Sequence, residues 1–592
     1  MKFLSNHIVH KATVAFSMGG EIIAAISEER ITRIKNITGF PINAIKYIKS
    51  KYLDNDLSKI DKFVFIDRLG HDLSYLEKYN FKQNQFGNYG WKTKEKFLNY
   101  RKFYEVLGRT NSNLIAKFKR KIKNKNLDSK KKLSILKKIF KIYPEINFDE
   151  KKVVFYDHHE MHALSHRFFV NTDSEKSLIF TMDGEGDSLS SSVSIFEKGQ
   201  IKKISENTRD VSIGYLYAET TNFLGMKQFQ HEFKVMGMAP YSQKSHVNRI
   251  VKKLEKLIYL TKDGIFKSLV VSSLFKYEIE NIYKYEKFEN ICGAVQLYTE
   301  KLIVNWIDYW IHKTSVNNII VSGGVFMNIK AIKEVSKLDQ LKKLFVVPSS
   351  SDESLPFGAL YKINKIHNQE IKIVKNLYLG SSSKDNLESF INKLDKREFK
   401  IEKYSDFTEV NQKVSKLLSE NKIVARCAGK EEWGARALGN RSILCNPSNI
   451  QNIKIINSAV KQRDYWMPFS PSILDEDVEN YFLNPKKIET KFMTCLFDST
   501  ELAQKHLAAA IHPIDNTMRP QVVKKEDNKE YHDLIKQFKK LTGIGGLLNT
   551  SFNLHGEPNV SRYEDAIHTL KGSKLKYLLL ENFLIEKKDN FS

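Results

Sequence analysis

The sequence predicts an α/β protein of two domains, the first carrying a basic helical insertion. Short apolar runs recur at Val153–Phe155, Leu178–Met182, Ile319–Val321 and Leu344–Val347, each followed by Gly, Asp, Ser or Pro, the chemistry of a loop leaving a strand's C-terminal end. The 592 residues are 41% hydrophobic, which is ample for more than one core. A stretch at 366–385 reads as a linker, so residues 1–365 form the first domain and 386–592 the second. No internal repeat or low-complexity stretch is evident.

The elements follow in order. Thr13–Phe16 and Glu21–Ile26 flank a turn at Met18-Gly19-Gly20, where glycine supplies positive φ, so the chain opens with a β-hairpin. Residues 72–143 change to a long, basic, helical texture with lysines from Lys117 to Lys141, read as a helical insertion with a solvated face. The apolar strands then return, and in open α/β sheets ligands gather at the ends of such strands. The segment Lys234–Tyr241 reads as a compact loop to which composition assigns no chemistry.

Composition excludes several classes. No run of about 18 apolar residues occurs, so no membrane span is predicted. The first twenty residues lack a long apolar core, so no signal peptide is expected. Cys292, Cys427, Cys445 and Cys495 are far apart and without metal-ligand spacing, so a disulfide framework is not expected and a cytoplasmic protein is. Lys and Arg number 95 against 69 Asp and Glu, a net +26. Much of this is lysine scattered with Asn and Ile through the whole chain, a compositional bias, and a nucleic-acid partner is not expected.

Chemistry concentrates in a few motifs. On a helix, His158 and His162 in Asp157-His158-His159-Glu160-Met161-His162 project from one face and can reach one ion. That spacing alone is met as often by a histidine-rich helix start. Asp183 and Asp352 both follow apolar strands, and mixed His/carboxylate ligation suits Fe, Mn or Zn. The turn at Ser322-Gly323-Gly324, running to Asn328, can expose backbone N–H groups to a nucleotide phosphate, although many such turns carry glycine for geometry alone. In the second domain Arg436, Arg441, Lys461, Arg463 and Arg519 lie among Gly, Asn and Ser, an arrangement favouring an oxyanion pocket over a solvated face.

These strings, from Gly20–Ala25 and Glu28–Lys35 through HHEMHALS (158–165), MDGEGD (182–187), KVMGMAPY (234–241), SGGVFMN (322–328), GARALGNRSIL (434–444) and MPFSPSIL (467–474) to LNTSFNLHGEP (548–558), resemble the O-carbamoyltransferases of the NodU/CmcH family of antibiotic and nodulation-factor biosynthesis. The match covers most of the chain except the basic insertion. The resemblance implies an actin-like ATPase-type first domain, similar to threonylcarbamoyl transferases, and a YrdC-like second domain. It implies an enzyme that makes carbamoyl adenylate from carbamoyl phosphate and ATP, with Mg2+ on the nucleotide, and passes the carbamoyl group to a small-molecule or sugar hydroxyl. A divalent metal, Fe2+ first, falls to His158, His162, Asp183 and Asp352. His10 falls on the acceptor-side base, and Lys430, Arg436, Arg441, Lys461, Arg519 and Asn549 on carbamoyl-phosphate and nucleotide contacts. Lys234, Gly237, Gly323, Gly324, Asn328 and Ser551 fall on the cofactor-binding positions. A homodimer is left open.

The chain departs from the family at Lys11, Lys430, Ala435, Met467 and the run Asp352-Glu353-Ser354. Two other readings follow: a tRNA-modifying threonylcarbamoyl transferase, served by the +26 charge, and a nucleotide- or metal-binding homologue without catalysis.

Overall fold

The computed structural model describes residues 1–81, 83–85, 107, 110–118, 126–382 and 386–588. The chain divides into two compact units, one of residues 1–22 and 36–373 and the other of 23–35 and 374–592. The short segment 23–35 therefore folds with the C-terminal half, which its place in the sequence does not suggest.

The first unit is built around two mixed sheets of similar plan. In one, Lys2–His7 pairs antiparallel with Thr13–Met18 and parallel with Lys62–Ile66, which pairs parallel with Val153–Tyr156. In the other, Ser177–Gly186, Leu189–Glu197 and Gln200–Thr208 form an antiparallel meander, and Asn318–Ser322 and Lys343–Val346 add parallel strands beside Ser177–Gly186. A repetition invisible in the residue types is thus present in the strand order. The hairpin turn has φ of 58° at Gly19 and 80° at Gly20, the left-handed pair that a tight two-residue connection requires.

Two helices tie the sheets to the chemistry. His158–Leu164 starts at Asp157, whose side chain accepts from the Glu160 amide. Leu355–Ile366, which begins just after Asp352, packs on that helix and on the strands Lys2–His7, Thr13–Met18 and Lys62–Ile66. Gly358 makes this contact: a Cβ there would stand 1.9 Å from the Met161 carbonyl oxygen.

Of the basic insertion, residues 86–106 and 119–125 lie outside the described residues. The helix Ser129–Ile142 is docked rather than free. Ile135, Leu136 and Ile139 are buried, and the Lys132 ammonium donates to the Arg68 carbonyl and sits 4.1 Å from the Phe155 ring. Its other lysines supply the solvated face. Lys234–Tyr241 is not a loop: Glu232–Met238 is an α-helix that continues as a single 3-10 turn, its inner face buried through Val235 and Met238.

The second unit is an eight-stranded mixed sheet in the order Phe399–Lys403, Phe583–Lys587, Tyr577–Leu580, Val424–Cys427, Arg441–Cys445, Gly546–Ser551, Ser470–Leu474, Gln521–Val523. The helices Phe407–Ser419 and Lys529–Thr542 pack on each other, and Tyr563–Lys571 covers another part of the core. Residues 383–385 of the expected linker lie outside the described residues. Among the described residues no helix is long and apolar enough to cross a membrane.

Candidate active site

In the first unit, four side chains converge. Donor atoms of His158, His162, Asp183 and Asp352 all lie within 4.8 Å of one another. The Nε2 of His162 is 3.2 Å from Asp183 Oδ2 and 3.6 Å from Asp352 Oδ1, and that of His158 is 4.0 and 3.8 Å from the same two oxygens. The Nε2 atoms of both histidines and Asp352 Oδ1 are buried without a hydrogen-bond partner. Buried polar atoms left unpaired are costly unless something else satisfies them. A cation between them does so, and the residues fit a divalent metal.

The surroundings aim each ligand. The His162 Nδ1 faces the hydroxyls of Ser322 and Ser354, each at 3.4 Å, so its Nε2 points inward. Asp183 is held by the amides of Gly184 at 2.7 Å and Gly324 at 3.0 Å. Gly186 leaves room for the His158 ring, because a Cβ there would stand 2.1 Å from its Cδ2. Burial alone pushes the His158 imidazole down, but the carboxylates of Asp183 and Asp352 hold it up, to about 9. Burial opposes ionisation of Asp352, yet His10, His162 and His7 hold its carboxyl well below the usual range.

Asp352 has a second side. Its Oδ2 lies 3.5 Å from His7 Nε2 and 3.5 Å from His10 Nδ1. His10 thus stands beside the cluster. His7 was not among the expected site residues, although its spacing of three from His10 is visible in the sequence. Lys11, the departure beside His10, turns its ammonium to the Ser351 hydroxyl at 3.1 Å.

The glycine turn serves the cluster and not a phosphate. The Gly323 amide donates to the Ser350 carbonyl and the Gly324 amide to Asp183, so neither N–H is left for an anion. Asn328 caps the helix Ile329–Ser336 and exchanges two hydrogen bonds with Gln296. Lys234 and Gly237 lie on the helix Glu232–Met238, with Gly237 buried.

In the second unit the charges gather differently. Lys461 is buried, its ammonium 2.7 Å from Asn553 Oδ1 and 3.0 Å from the Ser551 hydroxyl. Arg463 donates to the Thr550 hydroxyl at 3.1 Å and Arg519 to the Ser470 hydroxyl at 2.9 Å. Among the described residues, none of the three has a carboxylate within ion-pair distance. Burial and the neighbouring guanidinium of Arg436 lower Arg463 to about 10, and burial with Arg436 and Arg463 lowers Arg519 well below its usual value. Burial, then Arg463 and Lys35, does the same to Lys461. Lys461 is buried and Arg463 and Arg519 are partly buried, so like charges sit here in a partly desolvated setting.

Three expected contacts divide from this group. Arg441 is not in a loop but opens the strand Arg441–Cys445, and its guanidinium donates to the carbonyls of Ser561, Ala428 and Asn440. Asn549 donates to the Ala437 carbonyl, the Ser472 hydroxyl and Gln521 Oε1. Each keeps one buried polar atom without a hydrogen-bond partner, Nη2 of Arg441 and Oδ1 of Asn549. Lys430 is exposed. The loop bearing it is tied by Glu432, whose Oε1 accepts from the amides of Leu438, Asn440 and Arg441.

Comparison with known proteins supplies the family. The model for the carbamoyltransferase N-terminus matches residues 4–360, and that for the carbamoyltransferase C-terminus matches 415–587. An uncharacterised protein of Methanocaldococcus jannaschii is 30% identical over 593 residues, 98% of each chain. The nodulation protein NolNO of Sinorhizobium fredii is 27% identical, over 99% of this chain and 80% of its own. A 3'-hydroxymethylcephem-O-carbamoyltransferase of Amycolatopsis lactamdurans is 31% identical over 157 residues, 26% of this chain and 29% of its own. Among solved structures, the activator of the 2-hydroxyisocaproyl-CoA dehydratase from Clostridium difficile is similar over 63% of this chain and all of its own, at 12% identity and a TM-score of 0.32. With both family models matched in order along one polypeptide, this chain belongs to the carbamoyltransferase family.

Proposed function

We propose that the protein is an ATP-dependent O-carbamoyltransferase, with an actin-like first unit and a YrdC-like second unit. Carbamoyl phosphate, ATP and water yield carbamoyl adenylate, phosphate and pyrophosphate in the second unit. The acceptor hydroxyl then attacks the carbamoyl carbon, the bond to the adenylate oxygen breaks, and AMP leaves. The observation that carries this reading is the carboxylate-free group of Lys461, Arg463 and Arg519, which suits a polyanionic substrate. Arg436 adds its charge to that group, and Lys430 stands exposed where a phosphate can enter. Fixed cations stabilise charge developing on phosphate oxygens without reorganisation.

In the first unit His158, His162, Asp183 and Asp352 would hold a divalent ion, Fe2+ by our assignment. When bound, such an ion supplies Lewis acidity and an anchor for phosphate oxygens. His10, oriented through Nδ1 by Asp352, accepts the acceptor's proton on its other ring nitrogen. The acceptor is a small molecule or sugar bearing a hydroxyl.

The test is direct. Purified protein with carbamoyl phosphate and ATP is assayed for pyrophosphate, and candidate acceptors for a carbamoyl mass increment. Carbamoyl-phosphate-dependent pyrophosphate release is expected; ATP left intact with carbamoyl phosphate present would refute the scheme.

A further inference from the structure

The short helix Glu28–Thr32, within the segment that folds with the second unit, carries Arg30 and, at its left-handed C-cap with φ of 63°, Arg33. Residues three apart share a helix face. Their guanidinium groups reach two different loops. Arg30 donates through Nη2 to the Gly434 carbonyl at 2.7 Å and places Nη1 3.2 Å from Glu431 Oε1. Glu431 is buried, and its other oxygen accepts from the hydroxyls of Ser381 at 3.0 Å and Ser561 at 2.7 Å. This fixes the loop that bears Lys430 and Arg436. Arg33 donates to the carbonyls of Asn559 at 2.6 Å and Pro558 at 2.9 Å, with Glu557 Oε2 at 3.5 Å. From there contacts lead to the buried ammonium: the Glu557 carbonyl accepts from Asn553 Nδ2 at 3.0 Å, and Asn553 Oδ1 accepts from Lys461 at 2.7 Å.

We propose that Glu28–Thr32 is a clasp, and that Arg30 and Arg33 are positioning residues that set the spacing of the two phosphate-binding loops. The inference rests on the reading of those loops given above. Neither arginine touches substrate. Each acts by fixing where other cations stand, so loosening one weakens anion binding more than turnover. Lysine has one point charge and cannot serve both the Gly434 carbonyl and Glu431 as the Arg30 fork does.

Three measurements on the full chain test it, with inorganic pyrophosphate as the binding probe in calorimetry. Arg30→Ala is expected to raise KM for carbamoyl phosphate and Kd for pyrophosphate about ten-fold, with kcat within about two-fold and a fall in thermal midpoint, from the unpaired Glu431, that Arg30→Lys repairs. Arg30→Lys recovers part of the loss, and Arg33→Ala shows a smaller rise. Arg30→Ala combined with Glu431→Gln is expected to cost no more than the worse single variant. Unchanged KM and Kd, or strictly additive losses, would overturn the clasp. So would a fall in thermal midpoint that accounts for the loss and that Arg30→Lys does not repair; where Arg30→Ala does not fold, Glu431→Gln carries the same comparison. If the wild type binds pyrophosphate yet releases none from ATP, the proposed reaction fails while the Kd changes still decide the clasp. If it binds no pyrophosphate, the clasp fails as well.

Discussion

The two units solve opposite electrostatic problems. In the first, two aspartates and two histidines crowd together, with both histidine Nε2 atoms and one Asp352 oxygen left without a hydrogen-bond partner. In the second, a buried lysine and two partly buried arginines, Arg463 and Arg519, donate to hydroxyls and an amide and to no carboxylate, a site short of negative charge. Each arrangement is unfavourable alone, because desolvated charge is costly without a partner. On the function proposed above, the first would be completed by a cation and the second by an anion, so a single chain would keep two chemistries apart by the sign of what each site lacks.

That contrast can be broken from either side. The largest effect is expected from Asp352→Ala, which removes a ligand and the carboxylate facing His7 and His10. Metal affinity, read by elemental analysis after dialysis, should fall at least about 100-fold and carbamoyl transfer with it, while pyrophosphate release persists. Equal loss of both steps would erase the division. Arg519→Met should do the converse, lowering pyrophosphate release about 100-fold with metal content unchanged. It should also raise the ligand-free thermal midpoint, since it removes one of several like charges in a partly desolvated setting; a lower midpoint would mean that the arginine is held by more than the Ser470 hydroxyl.

A subtler change sharpens the comparison. In Gly186→Ala the new Cβ meets the His158 ring, so metal affinity should fall about ten-fold without altering any ligand. Affinity equal to wild type would show that the ring has room to move. The smallest effect is expected from Ser354→Ala, which removes one of two hydroxyls facing His162 Nδ1. Stability should change by about 0.5–1.5 kcal/mol, read by urea denaturation, with metal binding affected by less than about ten-fold.

What the sequence reveals of this design is uneven for physical reasons. The helical spacing of His158 and His162 is local, so periodicity alone places both on one face. Asp183 and Asp352 are legible because each comes shortly after an apolar run, although Asp183 lies within the strand Ser177–Gly186 and Asp352 opens a 3-10 turn. Arg441 and Asn549 have loop-like neighbours in the sequence, yet both lie on strands, whose register is set by distant pairing. The glycine turn at 323–324 misleads similarly: its amides are already used, one by an aspartate 141 positions earlier in the chain. His7 carries a spacing signal but no strong motif of its own. The allegiance of residues 23–35 depends on contacts hundreds of positions away, which no window of sequence contains.

Because the polypeptide passes between the units at 22/23, 35/36 and 373/374, it is not two beads on one string. A gene cut after codon 373 would yield a C-terminal fragment missing thirteen of its own residues and an N-terminal fragment carrying them without the rest of the unit they fold with. Fragment complementation should therefore need both pieces made together, and a C-terminal fragment preceded by a grafted copy of 23–35 should be the more soluble one.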